Sequence, residues 1–75
     1  MLSAIAIVLP RGVTIRRFKR GAAVQVAFTC NGRQCREILP NVKADQRGVN
    51  YAERQLRSIQ EELRAGTFDY AKWFP

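Results

Sequence analysis

An Asn-Gly pair between two alternating runs leaves a chain few choices, and Asn31-Gly32 divides residues 24–30 from residues 33–39 in this way. A two-residue type I′ turn needs positive φ at both central positions, which Asn tolerates and Gly adopts freely. Before the pair, apolar Val24, Val26 and Phe28 alternate with Gln25, Ala27 and Thr29, the period of a half-buried strand. The return strand runs from Arg33 to about Leu39.

So short a loop fixes the register, pairing Cys30 with Arg33, Thr29 with Gln34, Phe28 with Cys35, Ala27 with Arg36, Val26 with Glu37, Gln25 with Ile38 and Val24 with Leu39. One face of the hairpin then carries Val24, Val26, Phe28, Cys35 and Leu39, with Glu37 as its one ill-matched member. The other carries Gln25, Thr29, Gln34 and Arg36 together with Ile38. Glu37 requires a place at the sheet margin near a cation such as Arg33 or Arg17; failing that, the pairing is displaced by one residue.

Seventy-five residues allow one domain with one small core, for which a helix laid on a sheet is the economical solution. A bridge between Cys30 and Cys35 would close a very short loop and add little, so free thiols are expected. Two cysteines without histidine do not make a structural zinc site, and neither metal nor cofactor is expected. Charge says more. Residues 1–40 hold seven cations (Arg11, Arg16, Arg17, Lys19, Arg20, Arg33, Arg36) against Glu37 alone, whereas residues 41–75 hold six cations against five acids. The net +7 therefore resides almost wholly in the sheet half, which points to a polyanionic partner, most simply nucleic acid. The plainer alternative is a soluble basic protein without a specific target.

Residues 1–10 form an apolar leader too short to span a bilayer and without the basic start of a signal peptide, expected to be poorly ordered, although Ile5, Ile7 and Val8 suit an added sheet edge. Residues 11–17 alternate again, with Val13 and Ile15 opposite Thr14 and Arg16, and read as a first strand. Residues 18–21 then turn, their Lys19 and Arg20 placed either to reach phosphates or simply to be solvated. Pro40 ends the sheet. From about residue 45 to residue 65 the period changes: Val49, Ala52, Leu56, Ile59 and Leu63 recur at spacings of three and four, the stripe of a helix that covers the apolar sheet face. Glu53 pairs with Arg57 on its surface, and Glu61, Glu62 and Arg64 dress the outside without a functional role. Gly48 is an odd guest in its first turns. Gly66 stops the helix, and four aromatics follow in residues 67–75, with Thr67 as a candidate N-cap for one last helical turn. These rings either close the core or stack bases; with only Lys72 interleaved, core closure is the better reading.

Arg11-Gly12-Val13 with Ile15-Arg16, then Gly32-Arg33 with Cys35-Arg36-Glu37, then Tyr51-Ala52, Leu56 and Ile59, and finally GTFDYAKWFP over residues 66–75 stand in an order that resembles the N-terminal arm-type DNA-binding domain of phage and prophage integrases of the tyrosine recombinase class. The resemblance covers residues 11–75. It implies an α+β fold, a three-stranded antiparallel sheet packed on one long helix as in the plant AP2-type domain, with the open sheet face in the major groove of double-stranded DNA. It also implies other integrase domains or protomers as partners and a cytoplasmic, phage- or bacterially encoded protein. Membrane and small-molecule partners are not expected. The recombinase's cutting chemistry belongs to a separate domain, so this chain, read as an excised domain or a truncated prophage remnant, is expected not to be an enzyme on its own.

On the residues themselves, Arg16, Gln25, Thr29, Gln34 and Arg36 are candidates to approach base edges, and Arg11, Arg17, Lys19, Arg20 and Arg33 to hold phosphates. Because strand one has no fixed register, Arg16 and Arg17 can exchange roles. The competing reading is a protein-interaction module or regulatory remnant in which the leader or the Leu56/Ile59 helix surface docks a partner and the cations serve solubility.

Overall fold

In the computed structural model, which describes residues 7–75, the chain forms β1 (Val13–Phe18), β2 (Gly21–Cys30), β3 (Arg33–Ile38), α1 (Gln46–Ala65) and α2 (Tyr70–Trp73). The three strands make one antiparallel sheet in the order β1-β2-β3. The β2–β3 register is the one dictated by the Asn-Gly turn, from Cys30 opposite Arg33 to Gln25 opposite Ile38. Asn31 and Gly32 both take positive φ, 52° and 77°. The β1–β2 hairpin differs from expectation. The first strand begins at Val13 and continues to Phe18, which pairs with Gly21, so its turn is only Lys19-Arg20. This register places Arg16 opposite Ala23 and Arg17 opposite Ala22, on opposite faces of the sheet.

Helix α1 lies across β2 and β1. Its Val49, Ala52, Leu56 and Ile59 are buried with Val13, Val24, Val26, Phe28 and Leu39 in a single core. Leu56 and Ile59 therefore form no docking surface, contrary to the interaction-module reading. The helix starts after Asp45, whose Oδ1 accepts from the Gly48 N–H at 2.8 Å. Gly48 is accounted for here: a Cβ at this position would stand 1.7 Å from the Lys43 carbonyl oxygen, because the incoming chain crosses directly over the first turn.

The inner face of β3 receives a different cover. The residues after Gly66 fold back so that the Phe28 ring lies 5.6 Å from Phe68, 6.0 Å from Tyr70 and 5.9 Å from Phe74, centroid to centroid. These edge-to-face, tilted and stacked pairs close the open end of the core. The cap of α2 is Asp69, accepting from Ala71 N at 3.1 Å, in place of the expected Thr67.

Two acids behave differently from their sequence reading. Glu37 faces inward at its expected register, and its partner is neither Arg33 nor Arg17: the Tyr70 hydroxyl donates to Glu37 Oε2. That hydrogen bond, then burial and the negative charge beside it, push the Tyr70 phenol well above its ordinary range. Glu62 is half-buried and accepts from Trp73 Nε1 at 2.8 Å, so it anchors the terminal segment, where the sequence reading expects outer-face solvation and local pairing. Among the described residues no buried side-chain nitrogen or oxygen lacks a partner.

Residues 7–10 form no strand; Val8 instead joins the helix start, its N–H donating to Gln46 Oε1 at 2.8 Å and its carbonyl accepting from Gln46 Nε2 at 3.1 Å. Ile5 and the rest of residues 1–6 lie outside the described residues. No helix among the described residues is long and apolar enough to cross a membrane.

Candidate nucleic-acid interface

Alternation along three paired strands assembles the uncovered face: Thr14, Arg16 and Phe18 from β1, Ala23, Gln25, Ala27 and Thr29 from β2, and Gln34, Arg36 and Ile38 from β3. Arg16, Thr29, Gln34 and Arg36 are exposed there, as the sequence reading requires of groups that approach a ligand. Gln25 is not. Although it points to this side, its place in the middle strand between Thr14 and Ile38 leaves it only 6% exposed. Its Oε1 accepts from Arg16 Nη1 at 2.9 Å, so Gln25 meets a neighbouring side chain where direct approach to a base edge was expected.

The remaining candidates surround the face. Arg17, Lys19 and Arg20 stand at one end of β2, around the β1–β2 turn, and Arg33 stands at the other, beside Gly32. A ten-residue strand separates these ends by about 30 Å at the usual rise per residue. Arg11 lies just before β1 and shares a hollow with Thr29 and Gln34, which brings three of the candidates together at the Arg33 end. The structure thus sets Arg16 and Arg36 on the open face and the other sheet-half cations around its two ends, with Arg17 and Arg33 on the opposite side by alternation, and gathers them into no single pocket.

None of these seven cations is neutralised within the described residues, where the one ion pair is Arg57 with Glu53 on α1 at 3.4 Å. The inner-face acid Glu37 is already held by Tyr70. Arg36 reaches Gln34 Oε1 at 3.3 Å, both side chains exposed. The face therefore presents guanidinium and amide groups whose hydrogen-bonding capacity is largely unspent.

Phe18 and Ile38 also belong to this face, 49% and 42% exposed, although the alternation read from the sequence ends at Arg17 and places Phe18 in the turn. The Arg16 guanidinium lies 5.9 Å from the Phe18 ring centroid. Continuing the alternation of Thr14 and Arg16 by one step would have found Phe18, but Lys19-Arg20 lacks the composition that announces a tight hairpin turn. No group of three or more His, Cys, Asp or Glu suited to a metal ion occurs among the described residues, and Cys30 and Cys35 are free thiols.

A family model described as the arm DNA-binding domain matches residues 10–75. No curated protein and no solved structure is significantly similar to the chain.

Proposed function

Since the chain belongs to the arm DNA-binding domain family, whose members bind DNA, we propose that it recognises an arm-type site in duplex DNA as the N-terminal part of a phage or prophage integrase, with the open sheet face in the major groove. The observation that carries this reading is the uncovered face with cations along it and at both ends, none of them paired within the described residues. Two interstrand steps give a three-stranded sheet a width of about 10 Å, comparable to a major groove about 12 Å wide. Arg16, Thr29, Gln34 and Arg36 meet base edges, while Arg11, Arg17, Lys19, Arg20 and Arg33 hold the phosphates on either side of the groove.

An arm domain is a binding module and is not itself catalytic. Strand cleavage, in this reading, belongs to a separate domain of the recombinase, and other integrase domains or protomers are its protein partners in the cytoplasm. The chain's own contribution is to hold that machinery beside the attachment site.

Fluorescence anisotropy with a duplex selected from a randomised library, read at two salt concentrations, tests the proposal. Arg36→Ala is expected to weaken the selected duplex by about 1–3 kcal/mol, with a smaller loss on a scrambled one. Affinity independent of salt, or equal for every duplex, defeats the sequence-recognition reading.

A further inference from the structure

We infer that Gln25 is a positioning residue that fixes the guanidinium of Arg16 for the reading of a guanine, a role that rests on the DNA-binding function proposed above. The two arginines of the open face are supported unequally. Arg36 leans on Gln34, itself exposed on an edge strand, at 3.3 Å. Arg16 donates from Nη1 at 2.9 Å to a Gln25 side chain that is almost wholly buried in the middle strand. Its guanidinium also lies 5.9 Å from the centroid of the Phe18 ring.

Arginine is a donor only, so the amide of Gln25 must turn its oxygen toward Arg16. A packed glutamine flanked by Thr14 and Ile38 holds that oxygen in place. The guanidinium fork is therefore anchored through one N–H and against one ring, and its remaining donors stay available for the O6 and N7 acceptors of guanine. An anchored arginine has less side-chain freedom to lose on binding, and a wrongly placed base cannot be accommodated by swinging the fork aside. Gln25 thereby sets selectivity at one base pair without touching it.

The test compares wild type, Arg16→Ala, Gln25→Leu and Gln25→Glu on the library-selected duplex and on duplexes carrying single base-pair replacements. Its readout is the ratio of dissociation constants at each position, which a general loss of affinity does not move. Wild type is expected to reject replacement of one G·C pair by roughly tenfold or more. Arg16→Ala and Gln25→Leu each reduce that ratio toward one at the same pair. Gln25→Glu keeps an acceptor in place and retains the ratio, although its added charge weakens every duplex. If Arg16→Ala abolishes the preference and Gln25→Leu keeps it, the positioning role falls and the DNA-binding proposal stands. Preferences unchanged in Arg16→Ala overturn the inference at its root. Should Gln25→Leu not fold, loss of the guanine preference in a folded Gln25→Glu decides against it. A wild-type chain that enriches no sequence removes the recognition proposal itself.

Discussion

The two faces of the sheet treat polar groups in opposite ways. On the closed face each intruding acid finds a donor on an aromatic ring: Tyr70 gives its hydroxyl to Glu37, and Trp73 gives its indole N–H to Glu62, which reaches over from α1. The Tyr70 ring also joins Phe68 and Phe74 in filling the end of the core around Phe28, and Trp73 packs against that core, so one segment supplies both apolar area and hydrogen bonds. On the open face Arg16 and Arg36 bond only to neutral amides, and the cations at its ends have no acid partner among the described residues. A face that must fold satisfies its polar groups internally, because an unpaired buried group costs about 1–3 kcal/mol. A face that must bind keeps them for the partner.

The comparison can be broken most severely at its apolar centre. Phe28→Ala removes the ring that three others contact and is expected to cost about 3–5 kcal/mol, read as a lower urea midpoint. DNA binding should fail with it in proportion to the unfolded fraction. Gly48→Ala is expected to destabilise by about 1–3 kcal/mol, although alanine is ordinarily the better helix former by nearly 1 kcal/mol. The added methyl meets the Lys43 backbone, which a rotamer change cannot clear, so an increase in stability would show that the approach is looser than it stands.

A gentler probe uses the Tyr70–Glu37 pair. The folded state raises the phenol above its ordinary value of 10.0, so its contribution is fully present below that pH and is lost as pH climbs beyond it, when the unfolded chain gives up the proton first. The stability gap between wild type and Tyr70→Phe should be constant below about pH 10 and narrow above it in denaturation measured across pH. A gap that is flat into strong alkali would mean that Glu37 does not hold the phenol. The smallest effect belongs to the open side: Lys19→Ala should leave stability within about 0.5 kcal/mol, weaken all duplexes alike and reduce the salt slope by about 0.9.

Much of this division was legible in the residues. Asn31-Gly32 determined the second hairpin, since positive φ at two successive residues is a local requirement that few dipeptides meet, and the inward and outward sets of β2 and β3 followed by alternation. The stripe from Val49 to Ile59 marked the helix and the face it covers for the same reason, a period set by backbone geometry. Local chemistry was silent where contact depends on distant segments. Glu37 and Tyr70 are separated by 33 residues, Val8 and Gln46 by 38, and nothing near either member of a pair announces the other.

The sequence by itself determined the strands, the helix, the apolar face and the placing of positive charge, because each rests on short-range periodicity or a simple count. Only the tertiary structure decided that Glu37 and Glu62 are held by aromatic donors, that Gly48 makes room for the Lys43 backbone, and that Gln25 is covered while Arg16 stands out from it. A strand's pleat says which way a side chain points, but burial and partnership depend on what the rest of the chain brings to meet it.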